Sequence, residues 1–172
     1  MAKAAFDYPP DATLREAAHE VLSSALRRMM SNAKGTRAGL RQRVPTPEQV
    51  EALHDMRVGS RRIRAALSVF AKVFPRGEFR ALEREVADIT GALGAVRDAD
   101  VLLDSLRTYQ ATLSEGDAYG IGRLIERQTK VRDIERERLE RALRRLRRSR
   151  FRRRFQEALE RAAVPERGKG KG

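Results

Sequence analysis

The sequence predicts an all-α protein, an antiparallel four-helix bundle with a short C-terminal fifth helix. Three observations predict it. Leu, Ala, Arg and Glu dominate, aromatic residues make up 5%, and Trp is absent, a composition typical of helix. Apolar residues recur at spacings of three and four over long stretches instead of alternating. Two segments open with explicit helix-start chemistry. A length of 172 residues suits one domain with a real core. The expected layout is an extension over 1–12, the bundle over 13–163, and a basic tail over 164–172 whose composition favours disorder.

The first helix is expected over about 13–32, because Thr13 and Glu16 form a capping box and Leu14, Ala17, Ala18, Val21, Ala25 and Met29 make an apolar stripe. Residues 33–45 hold two glycines and Pro45 and read as a basic loop. Thr46-Pro47-Glu48-Gln49 then starts the second helix with an N-cap threonine, a first-turn proline and a glutamine three residues on. It should stop near Phe74, ahead of Pro75. The third helix is expected over 78–113, with Phe79, Leu82, Val86, Ile89, Leu93, Val96 and Leu103 on one line. Gly91 and Gly94 weaken its middle by about 1 kcal/mol each and would permit close packing or a bend. The fourth runs over about 117–148, with Ile121, Leu124, Ile125, Gln128, Val131, Leu139, Ala142, Leu143 and Leu146 inward. A short helix over 151–163 follows. Short connections between the second, third and fourth helices favour antiparallel neighbours.

The net charge is +13, which draws the chain to polyanions. Residues 141–154 hold nine arginines and no acid, so this run carries much of the excess. Of 37 basic residues only six are lysine, and planar guanidinium forks suit phosphate oxygens. No cysteine is present, which removes disulfide and thiolate chemistry. No apolar run approaches the ~20 residues that span a bilayer, and the N-terminal residues lack an apolar signal core. A cytoplasmic protein that does not enter membranes is expected.

The chemistry concentrates in the second helix. At about 100° per residue, His54, Arg57, Arg61 and Arg64 fall within an arc of roughly 80°. Ser68 and Lys72 continue the same stripe, while Met56, Ile63, Leu67, Phe70 and Phe74 form a separate apolar one. A solvated helix face explains one arginine, but a row of such cations beside a core repels itself unless acids or an anion face it. In the third helix Asp100 interrupts the apolar line, so its carboxylate needs a partner. An arginine of the second helix is expected to fill that role, with Asp100 holding the fork in its binding orientation. Arg97 lies about 60° from Asp100 and reaches the same groove, whereas Asp98 projects to another face. Arg132 falls on the inward side of the fourth helix. The arginine run reads as a solvated face with sequence-tolerant polyanion affinity.

These residues meet a known pattern. His54-Asp55-Met56-Arg57-Val58-Gly59-Ser60-Arg61-Arg62-Ile63-Arg64-Ala65-Ala66-Leu67 closely resembles the signature of CHAD domains, the conserved histidine α-helical domain. Leu93-Gly94-Ala95-Val96-Arg97-Asp98-Ala99-Asp100-Val101 resembles that family's second signature, and Ser149-Arg150-Phe151-Arg152 resembles the end of its first bundle. The resemblance covers about residues 14–160. It implies binding of inorganic polyphosphate on a basic helical surface by His54, Arg57, Arg61 and Arg64, with Arg97 added. Arg62 matches the motif although the helical wheel turns it away from the stripe. Family members usually carry two such bundles related by a pseudo-twofold, and this sequence carries one set of motifs. Either the chain offers half a groove or, as expected here, it forms a homodimer whose symmetry restores the whole.

Enzyme signatures are missing: no phosphate-cradling glycine loop, and two histidines, which is poor for a metal site. No metal, cofactor or catalytic residue is therefore expected. The expected function is non-catalytic polyphosphate binding, with association with polyphosphate granules, and nucleic acid bound only non-specifically. The competing readings are a nucleic-acid or ribosome-associated protein acting through 141–154, and a phosphohydrolase.

Overall fold

The structure is a computed structural model describing residues 12–74 and 76–163. Six helices are present: α1 (Leu14–Ser31), α2 (Ala33–Leu40), α3 (Pro47–Val69), α4 (Arg76–Gln110), α5 (Glu115–Arg148) and α6 (Phe151–Ala163), with no strand among the described residues. The all-α class holds, with one helix more than the sequence indicated. Residues 1–11 of the expected extension and the whole expected tail lie outside the described residues.

Both start signals act as read. Thr13 accepts from the Glu16 amide while the Glu16 carboxylate takes the Thr13 amide at 2.7 Å. Thr46 and Gln49 do the same, with Pro47 at the first helical position. Each box satisfies N–H groups that the helix itself leaves unpaired.

The loop expected over 33–45 is corrected: its first eight residues are α2. Its glycines do not break the helix; they let it lie close to α3. A Cβ on Gly35 would stand 2.8 Å from the Ala52 Cβ, and one on Gly39 would stand 3.0 Å from the Gln49 Cβ. Gly59 does the same on α3, where a Cβ would meet the Met29 amide nitrogen of α1 at 2.8 Å. Gly91 and Gly94, where close packing or a bend was expected, face open space, and α4 runs through them unbroken. The second expected helix also ends early. α3 stops at Val69, and Lys72 sits exposed in the turn that follows, off the helical stripe.

α3 is the organising element, packed against α1, α2 and α4, while α6 closes on α1 and also touches α4 and α5. The core joins Leu22, Leu26 and Met29 of α1, Met56 and Ile63 of α3, the expected line of α4, and Leu139 of α5 with Phe151 and Phe155 of α6. In α1 the inward stripe is rotated from the expected one, leaving Leu14 60% exposed. Arg15 donates to the Ala162 carbonyl at 2.8 Å and the Val73 carbonyl at 3.2 Å. It thereby satisfies one carbonyl at the end of α6 and ties it to the turn after α3.

α4 and α5 have 35 and 34 residues, about 50 Å each at ~1.5 Å per residue. α1 and α3 are much shorter. The α4–α5 hairpin therefore outruns its neighbours, and between 104 and 135 no residue is fully buried. Leu124 and Val131, expected inward, are exposed for this reason.

Candidate functional site

The row on α3 forms as the spacing requires. His54, Arg61 and Arg64 are exposed, and Arg57 is half-buried. No carboxylate among the described residues lies within 4.0 Å of His54, Arg61, Arg62 or Arg64. Arg57 alone meets an acid, and that contact is long: its Nη2 stands 4.0 Å from Asp98 Oδ1. Asp98, read as projecting elsewhere, thus joins α4 to the row. Asp55 is occupied elsewhere, held by Arg28 of α1 at 2.8 Å. Arg62 is exposed but leaves the helix about 100° from Arg61.

A cleft of about 720 Å³ opens at the N-terminal end of the same face. Val50 lines it, and Val50, Arg57, Arg61 and Arg64 lie close to one line on α3. Six cations surround it, Arg43, Arg97, Arg107, Lys130, Arg132 and Arg136, against Asp100, Asp104 and Glu126. Arg97 lines the cleft, and the next residue on α4, Asp98, is the one that faces Arg57. The arrangement can hold an extended anion that starts in the cleft and continues along α3.

Asp100 faces different partners from those expected. The guanidinium groups of Arg136 and Arg132, both on α5, surround it with Arg97, and no arginine of α3 is among them. The reason is packing: α5 lies along α4 and covers this face. Burial pushes the Asp100 carboxyl above the usual aspartate range, a rise that the three guanidinium groups oppose and Asp104 adds to.

Arg136 is the residue that sequence reasoning missed. It is buried, donating from Nη1 to the Gln42 carbonyl at 2.9 Å and from Nη2 to the Gly39 carbonyl at 3.3 Å. Burial and the neighbouring Arg132 lower its pKa, while Asp100 and Asp133 act the other way. A signal was present, for Arg136 precedes Leu139 by three residues and Leu143 by seven, on the inward line of α5. Arg132, one turn earlier and expected on the inward side, lines the cleft and pairs with Asp133 at 3.0 Å.

The structure therefore unites Arg97, Asp100 and Arg132 in the cleft, sets His54, Arg57, Arg61 and Arg64 along the adjoining face of α3, and leaves Lys72 and Arg62 apart. Among the described residues no group of three or more His, Asp or Glu is placed to hold a metal ion, and no helix is long and apolar enough to cross a membrane. A protein-family model described as CHAD domain matches residues 12–171. No curated protein and no solved structure matches the chain.

Proposed function

We propose that this chain, which belongs to the CHAD domain family, binds inorganic polyphosphate without catalysing its turnover. The family is associated with polyphosphate binding. The observation that carries the reading is the α3 row, in which Arg61 and Arg64 stand open with no carboxylate within 4.0 Å while Arg57 has only the long contact to Asp98. A linear polymer with about one charge per phosphate unit can lie along such a row and release counterions as it binds. The cleft lined by Arg97, Arg132 and Arg136 extends the track beyond the row.

A homodimer would complete the groove, and association with polyphosphate granules would follow from affinity for long chains. The α4–α5 hairpin supports self-association, because Val101, Leu102, Tyr109, Leu124, Val131 and Ile134 are exposed on it. An isologous contact would cover such surface. A strictly monomeric protein in light scattering, with and without polyphosphate, argues against the dimer.

The binding itself is tested by titrating chains of graded length at several salt concentrations. Affinity should rise with length and fall steeply with salt. One observation favours a second reading: Arg145, Arg147, Arg148, Arg150 and Arg152 have no carboxylate partner within 4.0 Å among the described residues, which suits non-specific nucleic-acid binding. Duplex or single-stranded nucleic acid that displaces polyphosphate at similar concentration supports that alternative. Orthophosphate release that tracks the purified protein and vanishes in His54→Ala overturns the non-catalytic reading.

A further inference from the structure

A second groove of about 720 Å³ lies between α2, α5 and α6. Met30, Ala33, Ala38, Leu143 and Leu146 form its floor, with Met56 and Phe151 fully buried beneath. Two basic rims border it. On one side Lys34 and Arg37 of α2 and its C-cap Arg41 stand at i, i+3 and i+7, a row about 10 Å long. On the other side Arg147, Arg150, Arg152 and Arg153 stand at the corner between α5 and α6. Folding has used some of these charges: Arg41 reaches Glu140 at 3.2 Å and Arg153 reaches Glu157 at 3.3 Å. Lys34, Arg37, Arg147, Arg150 and Arg152 have no carboxylate within 4.0 Å among the described residues.

The two glycines of α2 explain why this face is presented outward. Gly35 and Gly39 turn the opposite side of α2 against α3, so the Lys34–Arg41 row must point away from it. At the other rim, Arg150 holds a φ of 52°, a left-handed conformation in which glycine is the ordinary residue. Here the chain carries a guanidinium at that corner at the expense of backbone strain.

We propose that this groove docks an acidic amphipathic α-helix of another protein. An apolar floor flanked by cations on both sides matches a helix with an apolar stripe flanked by carboxylates. An inorganic polyanion would engage the rims and leave the floor unused. A single-headed amphiphile would need its cations at one end. A second copy meeting this groove with its own would set like charges, rim against rim. The groove is separate from the α3 row, and the inference does not depend on what that row binds.

The test uses the full chain and a fluorescein-labelled synthetic peptide of about 15 residues, with leucines at i, i+3, i+4 and i+7 flanked by glutamates. Its control is a peptide of the same composition with that periodicity scrambled. By anisotropy at physiological salt, the periodic peptide should bind at least about tenfold more tightly than the scrambled one. Ala38→Glu, at an exposed position on the floor, should weaken it about tenfold. Arg150→Gly should weaken it about fivefold without lowering Tm, because glycine accepts that φ, which separates docking from a structural role. Equal affinity for both peptides reduces the groove to diffuse charge and overturns the proposal. So does unchanged binding in both folded variants. Vesicles of anionic phospholipid captured through these residues in place of the peptide, or self-association abolished by Ala38→Glu, would also overturn it.

Discussion

Replacing Arg57, Arg61 and Arg64 together with alanine tests the central reading most sharply. The three side chains share one face of α3, and none is tied into the core by a short ion pair. The triple variant should therefore fold. A desolvated charge-assisted hydrogen bond is worth about 1.5–3 kcal/mol, but Arg61 and Arg64 are exposed and screened, so about 1 kcal/mol each is the realistic figure. Three such losses come to about 3 kcal/mol, or roughly a hundredfold in Kd. The same change removes up to three phosphate contacts, and the slope of log K against log salt should fall by about 2 if each contact contributes ~0.7 as on a single strand. Isothermal titration calorimetry with a long polyphosphate chain, repeated over a salt series, reads both quantities. Arg147→Ala, on the far groove, should change the affinity little. If Arg147→Ala and Arg57→Ala weaken binding equally, net charge is the binding determinant and the α3 row has no special part.

Four further outcomes follow from the packing and the cleft. Gly59→Ala should destabilise the fold by about 2 kcal/mol in urea denaturation, since the new methyl meets α1 backbone at Met29 and cannot be absorbed by a rotamer change. Arg136→Met keeps the volume but strips the carbonyls of Gly39 and Gln42 of their donor; a loss of about 2 kcal/mol is expected, with faster amide exchange over 39–46. Asp100 is held above the usual aspartate range by burial, so its contribution to stability is greatest at acid pH and declines as pH rises through that elevated folded-state value. Asp100→Asn should thus gain stability relative to the parent as pH rises through that window. Polyphosphate affinity of the parent should climb as pH falls through the same window, because the cleft loses a negative charge. A parallel climb in Asp100→Asn would show that Asp100 is not its source.

The sequence alone determined whatever depends on neighbours within a turn or two. The capping boxes at Thr13 and Thr46, the inward line of α4 from Phe79 to Val96, and the shared face of Arg57, Arg61 and Arg64 all follow from local spacing and helix geometry. What is decided between distant segments was not legible there. Gly35 and Gly39 resemble loop residues until α3 lies 2.8–3.0 Å from where their Cβ atoms would be. Asp100 finds its cations on α5 because α5, not α3, covers that face of α4. Arg136 lies too far along the chain from Gly39 and Gln42 for its carbonyl partners to be foreseen. Helical periodicity fixes the direction in which a side chain leaves its own axis, whereas the partner it meets depends on how the axes cross, and that is set by close packing of the whole core.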